Sequence, residues 1–248
     1  MAEVLNFEHN GITVNATESP EAMGGLGDNV IGLVGTAPNA HASIPKNAPF
    51  RINSFTTQAL LDPTGTESGT LFQAVYQILK VVKVPVYVVI VEEGATPADT
   101  INNVIGGNDP VTGRKLGLAA LSSVPEDLTI IGAPGFTGTK AVAGEFASFG
   151  KRIKARVVLD GKDASVADQV TYSGELGGAD LGFDRCLLVH NMPSVYSKAA
   201  KKNVFLSPSS LAIAALAKVK QWESPGNQVT FAEDVSRVVE YNILDTST

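Results

Sequence analysis

Hydrophobic residues in this chain form short unbroken runs, separated by stretches in which they recur every three or four positions. The runs at residues 30–34 and 86–91 have the length of a strand and no polar alternation, so each predicts a strand covered on both faces. Residues 68–82 and 140–153 carry apolar side chains at helical spacing, with Ser68 as a candidate helix cap. This alternation of buried strands and amphipathic helices is typical of an α/β fold.

The same rhythm continues along the rest of the chain. Further helical segments are predicted at residues 97–104, 116–121, 165–170 and 207–222. Apolar, strand-like pieces lie at residues 50–55, 128–134, 156–159, 185–190 and 228–248. In the last helix, Ser207 is expected at the cap and Pro208 at the first helical position. We therefore predict a mixed sheet with helices on both faces.

Residues 1–28 have a different pattern from the rest. The apolar residues that alternate roughly with polar ones are Val4, Leu5, Phe7, Ile12 and Val14, and the glycines that follow are Gly24, Gly25 and Gly27. A strand-like segment joined through glycines can extend as an arm and add to the sheet edge of another subunit, with the glycines as its hinge. A frayed terminus without a role fits the composition equally well.

The predicted organisation therefore has three parts. Residues 1–28 form an N-terminal arm and glycine linker, residues 29–227 an α/β core, and residues 228–248 the start of a further domain. The core prediction includes the run at 29–38, which ends in Gly-Thr-Ala-Pro but lacks both glycine-rich phosphate-binding patterns. We interpret this run as a buried structural strand.

Composition excludes several classes of protein. Of 248 residues, 44% are hydrophobic and 18% charged, which excludes wholesale disorder. The net charge of −6 gives no support for nonspecific nucleic-acid binding, and the single cysteine cannot form an internal disulfide. The first residues do not match a signal peptide. The most hydrophobic window, 81–91, is shorter than a membrane span of about 20 residues and contains Lys83 and Pro85, so we expect no membrane insertion.

The spacing of the histidines and the single cysteine does not indicate a metal site or a nucleophile with its base. His9, His41 and His190 lack the four-residue helical spacing of a zinc site, and one cysteine cannot supply a thiolate cluster. Cys186 and His190 would share one face of a strand with Cα atoms about 13 Å apart, too far for a nucleophile and its base. Cys186 is therefore interpreted as a small core residue, with a reactive thiol as the alternative.

Two carboxylates are the remaining candidates for a reaction. Glu92 and Glu93 follow the strongest predicted strand, a position at which α/β enzymes often place active-site residues. No motif accompanies them, and the chain has no G-x-S-x-G nucleophile elbow. We therefore assign no catalytic, cofactor-binding or metal-binding residue, and keep an α/β enzyme of unassigned chemistry as the alternative function.

The densest group of basic residues lies at the end of the predicted helix 140–153. It consists of Lys151, Arg152, Lys154 and Arg156. Basic residues at a helix C-terminus interact favourably with the helix dipole, which is the simpler interpretation. The other is a contact with an acidic partner surface.

Several short stretches, in their order and spacing, resemble the contractile tail sheath proteins of bacteriophages and related contractile injection particles. They are residues 29–38, 85–94, 103–107 with 112–113 and 117–118, 130–136, and 207–209 with 223–227. The resemblance covers nearly 200 residues, and it implies a structural protein rather than an enzyme. Sheath proteins usually continue beyond the equivalent of residues 239–245 into a second domain that touches the tube, so we expect that domain to be missing here.

The resemblance also implies partners and a place of action. Sheath subunits assemble with other copies of themselves as stacked hexameric rings around a tail tube protein, joined by exchanged terminal arms, and contract to drive the tube through the bacterial envelope. Baseplate and tail terminator proteins are further expected partners, whereas nucleic acid and cofactors are not. The expected location is the virion tail, assembled in the cytoplasm of the host bacterium.

Overall fold

The computed structural model describes residues 29–162, 166–177, 183–190, 192–197, 201–220, 223 and 238–241. The strands in these residues are β1 (Ile31–Thr36), β2 (Pro49–Ile52), β3 (Val86–Val91), β4 (Gly107–Asn108), β5 (Lys115–Leu116), β6 (Ile130–Gly132), β7 (Arg156–Asp160), β8 (Cys186–Val189), β9 (Pro193–Ser197), β10 (Lys202–Phe205) and β11 (Val238–Tyr241). The α-helices are α1 (Phe55–Gln58), α2 (Leu71–Val81), α3 (Pro97–Ile105), α4 (Lys140–Ile153), α5 (Val166–Glu175) and α6 (Pro208–Lys218). Two 3₁₀ helices span Ala59–Leu61 and Gly117–Ser123.

The main sheet has six strands in the order β2-β3-β1-β6-β7-β8. β2 is antiparallel to β3, and the other five strands run parallel, with Ile31 of β1 opposite Val86 on one side and Ile130 on the other. The predicted mixed sheet is therefore confirmed. Numbered by their order in the chain, the parallel strands lie in the order 2-1-3-4-5, one of the two common arrangements of doubly wound α/β folds. Separate small sheets have the order β10-β9-β11 and β4-β5.

Helices cover both faces of the main sheet, as the unbroken apolar runs predict. On one face Leu33 of β1 packs in a cluster with residues of α2 and α6, such as Ile78 and Ile213. On the other face Val34 packs in a cluster with residues of α3, α4 and α5, such as Phe146. Every residue of β1 and of β3 is buried. Consecutive side chains point to opposite faces of a strand, so only continuous hydrophobicity suits a sheet covered on both.

Two glycines of β1 allow close neighbours on both faces. A Cβ at Gly32 would lie 2.9 Å from Cδ1 of Leu128, and a Cβ at Gly35 would lie 2.5 Å from the hydroxyl oxygen of Thr70. That hydroxyl accepts a hydrogen bond from the backbone N–H of Thr36, at 3.2 Å. The small residues of β1 thus let the N-terminus of α2 lie directly against the end of the strand.

Several predicted helix boundaries are wrong, for local reasons. α2 begins at Leu71 with Thr70 at its N-cap, not at Ser68, because Gly69 has a φ of +79°, outside the helical region. The segment predicted as a helix at 116–121 is a 3₁₀ helix, Gly117–Ser123. α5 extends to Glu175, beyond the predicted 165–170, and α6 ends at Lys218. No helix in the described part of the chain is long and apolar enough to cross a membrane.

Candidate functional site

The carboxyl ends of the parallel strands form the first candidate site. In doubly wound sheets, ligands bind beyond these ends, where the strand order reverses, which here is between β1 and β6. A crevice of about 530 Å³ occupies this place, lined by Thr36 at the end of β1, by Glu93 and Gly94 after β3, and by Gly135 and Phe136 after β6. The fold therefore provides the place at which an α/β enzyme would work.

The chemistry of this crevice does not form a catalytic pair. Glu93 is the only ionisable residue among the described residues that line it. Glu92 lines a separate pocket, where its carboxylate accepts a hydrogen bond from Lys46 Nζ at 2.7 Å. This bond and the lysine charge lower the pKa of the Glu92 carboxyl. The structure thus separates the two predicted carboxylates, and a lone exposed carboxylate has no partner for general acid and base work.

A buried carboxylate that sequence reasoning missed lies at the end of β7. Asp160 is 4% exposed. Its Oδ1 accepts hydrogen bonds from the hydroxyl of Ser207 at 2.5 Å and the backbone N–H of Ser209 at 2.9 Å. Its Oδ2 accepts from the backbone N–H of Gly135 at 2.9 Å and the hydroxyl of Thr137 at 3.1 Å. One carboxylate therefore joins β7, the loop between β6 and α4, and the N-terminus of α6.

The Asp160 cluster, formed by Asp160 with Gly135, Thr137, Ser207 and Ser209, brings together two stretches on which the sheath resemblance depends. These stretches are residues 130–136 and 207–209. Ser207 occupies the predicted N-cap, but its hydroxyl bonds to Asp160 instead of to a backbone N–H of its own helix. A carboxylate at a helix N-terminus is favoured by the helix dipole. The cluster fixes the position of α6 on the sheet, and its chemistry is structural.

Tyr172 of α5 extends this buried polar region. Its side chain is fully buried, and its hydroxyl donates to the backbone oxygen of Thr137 at 2.8 Å. Burial, with smaller contributions from the charges of Glu175 and Asp160, raises the pKa of Tyr172 to about 12. The hydroxyl is therefore a fixed hydrogen-bond donor at physiological pH and not a base.

The structure separates the remaining candidates for nucleophile and metal chemistry. Cys186 is half-buried in β8, where burial and then the charge of Asp184 raise the pKa of its thiol to about 11. This supports a core cysteine, because a reactive thiol needs a lowered pKa. Nδ1 of His41 lies 2.8 Å from the hydroxyl of Ser43 in a loop, His190 follows β8, and His9 lies outside the described residues. Within the described ranges, no three His, Cys, Asp or Glu side chains are grouped to hold a metal ion.

The predicted basic cluster divides between a helix end and a groove. Lys151 and Arg152 lie in the last turn of α4, where they complement the helix dipole, and the Arg152 guanidinium lies 4.9 Å from the centre of the Phe149 ring. Lys154 follows as the C-cap with a φ of +62°, and Arg156 begins β7. Lys154 and Arg156 line a groove of about 570 Å³ at the amino edge of the sheet.

A third basic residue joins this groove from a different part of the chain. Arg185, just before β8, donates a hydrogen bond to the backbone oxygen of Lys154 at 3.1 Å. The groove is also lined by Asp127 and by Asn29, the first described residue of the chain. We call these residues, Asn29, Asp127, Lys154, Arg156 and Arg185, the amino-edge groove.

Asn29 connects the beginning of the described chain to its last long helix. Its side-chain N–H₂ group donates to the backbone oxygens of Ala217 at 3.2 Å and Val219 at 2.9 Å, both at the end of α6. Its Oδ1 accepts from the hydroxyl of Thr129 at 3.2 Å, and the residue is 3% exposed. The chain is therefore held firmly at the point where residues 1–28 join the core.

The arm and hinge predictions fall outside the part of the chain that the structure describes. They concern Val4, Leu5, Phe7, Ile12, Val14, Gly24, Gly25 and Gly27. The division into an arm, a core and a further domain likewise stays a prediction.

No family model matches the sequence. The chain is 27% identical, over 96% of its length, to a protein of Pseudomonas aeruginosa (strain UCBPP-PA14) that is provisionally named a prophage major tail sheath protein. The match covers 62% of that relative, so the chain spans less than two thirds of its length.

One solved structure of a contractile sheath has a similar fold, and a second gives a weaker match. The contracted sheath of an extracellular contractile injection system (PVC) matches 92% of this chain and 53% of the sheath chain, with a TM-score of 0.52 and 16% identity. The contracted helical sheath of the anti-feeding prophage matches 86% of this chain and 53% of its own, with a TM-score of 0.45 and 13% identity. The resemblance to contractile tail sheath proteins, inferred from the sequence, is confirmed by the curated relative, and the PVC sheath shares the fold.

Proposed function

We propose that this chain is a structural subunit of a contractile tail sheath, which polymerises around a tail tube and contracts to drive the tube through a bacterial envelope. The observation that carries the proposal is the similarity to a tail sheath protein along 96% of the chain. The fold shared with the PVC sheath supports it. The crevice at the carboxyl ends of the parallel strands does not favour an enzyme, because its described lining holds a single ionisable side chain.

A contractile sheath needs a subunit that keeps its shape while its contacts change. Contraction rearranges packed subunits between two states, and the free-energy difference between the two packings drives it. A sheet covered on both faces and the Asp160 cluster suit this task, because both hold helices against one sheet. No catalytic residue takes part in such a mechanism.

The proposal includes partners beyond this chain. Other copies of the chain form stacked hexameric rings, and residues 1–28 link neighbouring copies as an arm hinged at Gly24, Gly25 and Gly27. The tail tube protein lies inside the sheath, and baseplate and tail terminator proteins contact its ends. The place of action is the particle tail, after assembly in the cytoplasm of the host.

Self-association is the first property to measure. Sedimentation velocity of the full chain over a range of concentrations should show large polymers, and deletion of residues 1–20 should abolish them. The deletion variant should keep the far-ultraviolet circular dichroism and the urea midpoint of the full chain, since these residues precede the core. Equal polymerisation of both proteins would refute the arm assignment, and a full chain that stays monomeric at every concentration would contradict the sheath proposal.

A further inference from the structure

The amino-edge groove carries a net positive charge, which favours an acidic ligand. Three cationic side chains and one carboxylate line it. Lys154 and Arg185 are exposed, and within the described part of the chain neither pairs with a carboxylate. The groove also faces the C-terminal end of α4, whose last-turn residues Lys151 and Arg152 add positive charge nearby.

The segment that enters the core at this groove has the opposite charge. Residues 1–28 contain five carboxylates and no lysine or arginine, and the carboxylates are Glu3, Glu8, Glu18, Glu21 and Asp28. The last of them directly precedes Asn29, which lines the groove and is held in place by three hydrogen bonds. The acidic segment therefore joins the core directly beside the basic groove.

Tethering strengthens this match. Glu18 is 11 residues from Asn29, a span of at most about 40 Å, so Glu18, Glu21 and Asp28 can all reach the groove. A segment attached by a short flexible linker reaches an effective concentration in the millimolar range, which favours it over a free acidic peptide or another copy in dilute solution. Glycine at positions 24, 25 and 27 gives the backbone access to the dihedral angles that a turn back along the groove requires.

We propose that the amino-edge groove binds the acidic segment 18–28 of its own chain in the unassembled protein, with Lys154 and Arg185 pairing with its carboxylates. The assignment does not depend on the sheath role. It gives the basic cluster an acidic partner within the same polypeptide. The ion pairs are near the surface, so salt weakens them.

Carbodiimide cross-linking of the full chain tests this proposal directly. The reagent joins a lysine Nζ to a carboxylate in contact with it, forming an amide, and takes up the water that is released. At low salt, mass spectrometry should find Lys154 linked to Glu18, Glu21 or Asp28, and 0.5 M sodium chloride should remove most of this product. An equal mixture of ¹⁴N- and ¹⁵N-labelled protein shows whether the linked lysine and carboxylate belong to one chain or to two copies. If links occur only as all-light or all-heavy pairs, the proposal is supported. If about half of the links are mixed, as random pairing between copies requires, the segment of a second copy occupies the groove and the proposal is overturned. Absence of any link between Lys154 and residues 18–28 also overturns it.

A matched pair of variants provides an independent readout. Lys154→Asn with Arg185→Gln removes two charges from the groove, and asparagine tolerates the positive φ of position 154. Lys140→Gln with Arg114→Gln removes the same two charges elsewhere, since Lys140 begins α4 at the opposite end of the helix and Arg114 lies before β5. A glutamate-specific protease should cut within residues 1–28 about two- to thirty-fold faster in the groove variant, the range for two exposed ion pairs, and at the native rate in the control. Equal cleavage rates in the two variants, with unchanged circular dichroism, would overturn the proposal.

Discussion

Replacing Asp160 with asparagine tests the buried cluster that holds α6 on the sheet. The carboxylate accepts four hydrogen bonds, two of them from the backbone N–H groups of Gly135 and Ser209. Asparagine keeps one accepting oxygen, so its N–H₂ group must face one pair of donors. The hydroxyl of that pair can turn to accept, but the backbone N–H cannot and is left unsatisfied in a site that is 4% exposed.

The structure sets the expected magnitude. An orphaned buried donor costs about 1–3 kcal/mol, and the two bonds that remain lose the strengthening that a charged acceptor provides. Removing a buried charge recovers part of its desolvation cost, so we expect Asp160→Asn to lower the free energy of unfolding by about 2–4 kcal/mol. Urea denaturation, followed by circular dichroism, measures this quantity.

A control and a second variant make the test specific. Glu145→Gln neutralises an exposed carboxylate on α4 and should change stability by less than about 0.5 kcal/mol. Combining Asp160→Asn with Ser207→Ala should cost less than the sum of the single changes, with a coupling of about 0.5–3 kcal/mol. If Asp160→Asn matches Glu145→Gln, or if the two cluster changes add fully, the carboxylate does not hold α6 as described.

Other consequences concern pH and packing. The pKa of Tyr172 is raised to about 12 in the folded protein, from about 10 when unfolded. Its contribution to the free energy of unfolding is therefore complete below pH 10 and is lost as pH rises toward 12. The loss should approach about 1.4 kcal/mol per pH unit, and Tyr172→Phe should remove it from urea midpoints measured between pH 9 and 11. Gly35→Ala should destabilise by about 1–3 kcal/mol, because its Cβ would lie 2.5 Å from the hydroxyl oxygen of Thr70. Gly144→Ala, in open space on α4, should instead stabilise by about 0.5–1 kcal/mol. Thermal unfolding that ranks the two alanines the other way would contradict the packing of β1.

Hydrophobic pattern predicts the fold of this chain well wherever burial is regular. The strand at 86–91 and the helix at 140–153 have the predicted bounds, because their side chains follow the periods of a doubly covered strand and an amphipathic helix. Boundaries set by single dihedral angles are harder to predict. The start of α2 depends on Gly69, whose positive φ leaves no mark in the hydrophobic pattern.

Sites built from distant residues are the least predictable part. Asp160 is a lone aspartate at the end of a strand, and its partners are 23 to 49 residues away in the chain. The sequence marks Lys154 and Arg156 as basic neighbours but not Arg185, which reaches the same groove because β8 pairs in parallel with β7, Cys186 opposite Val157. Strand order is a property of the whole sheet, and a local window of sequence does not contain it.

Electron microscopy tests the proposed sheath function most directly. The protein should be imaged alone at high concentration and after co-expression with a tail tube protein. We expect rings or tubes with a regular repeat, with six copies of the chain in each ring. A protein that stays a monomer in both preparations, and that binds a small ligand in the crevice beside Glu93, would contradict the account and favour an enzyme.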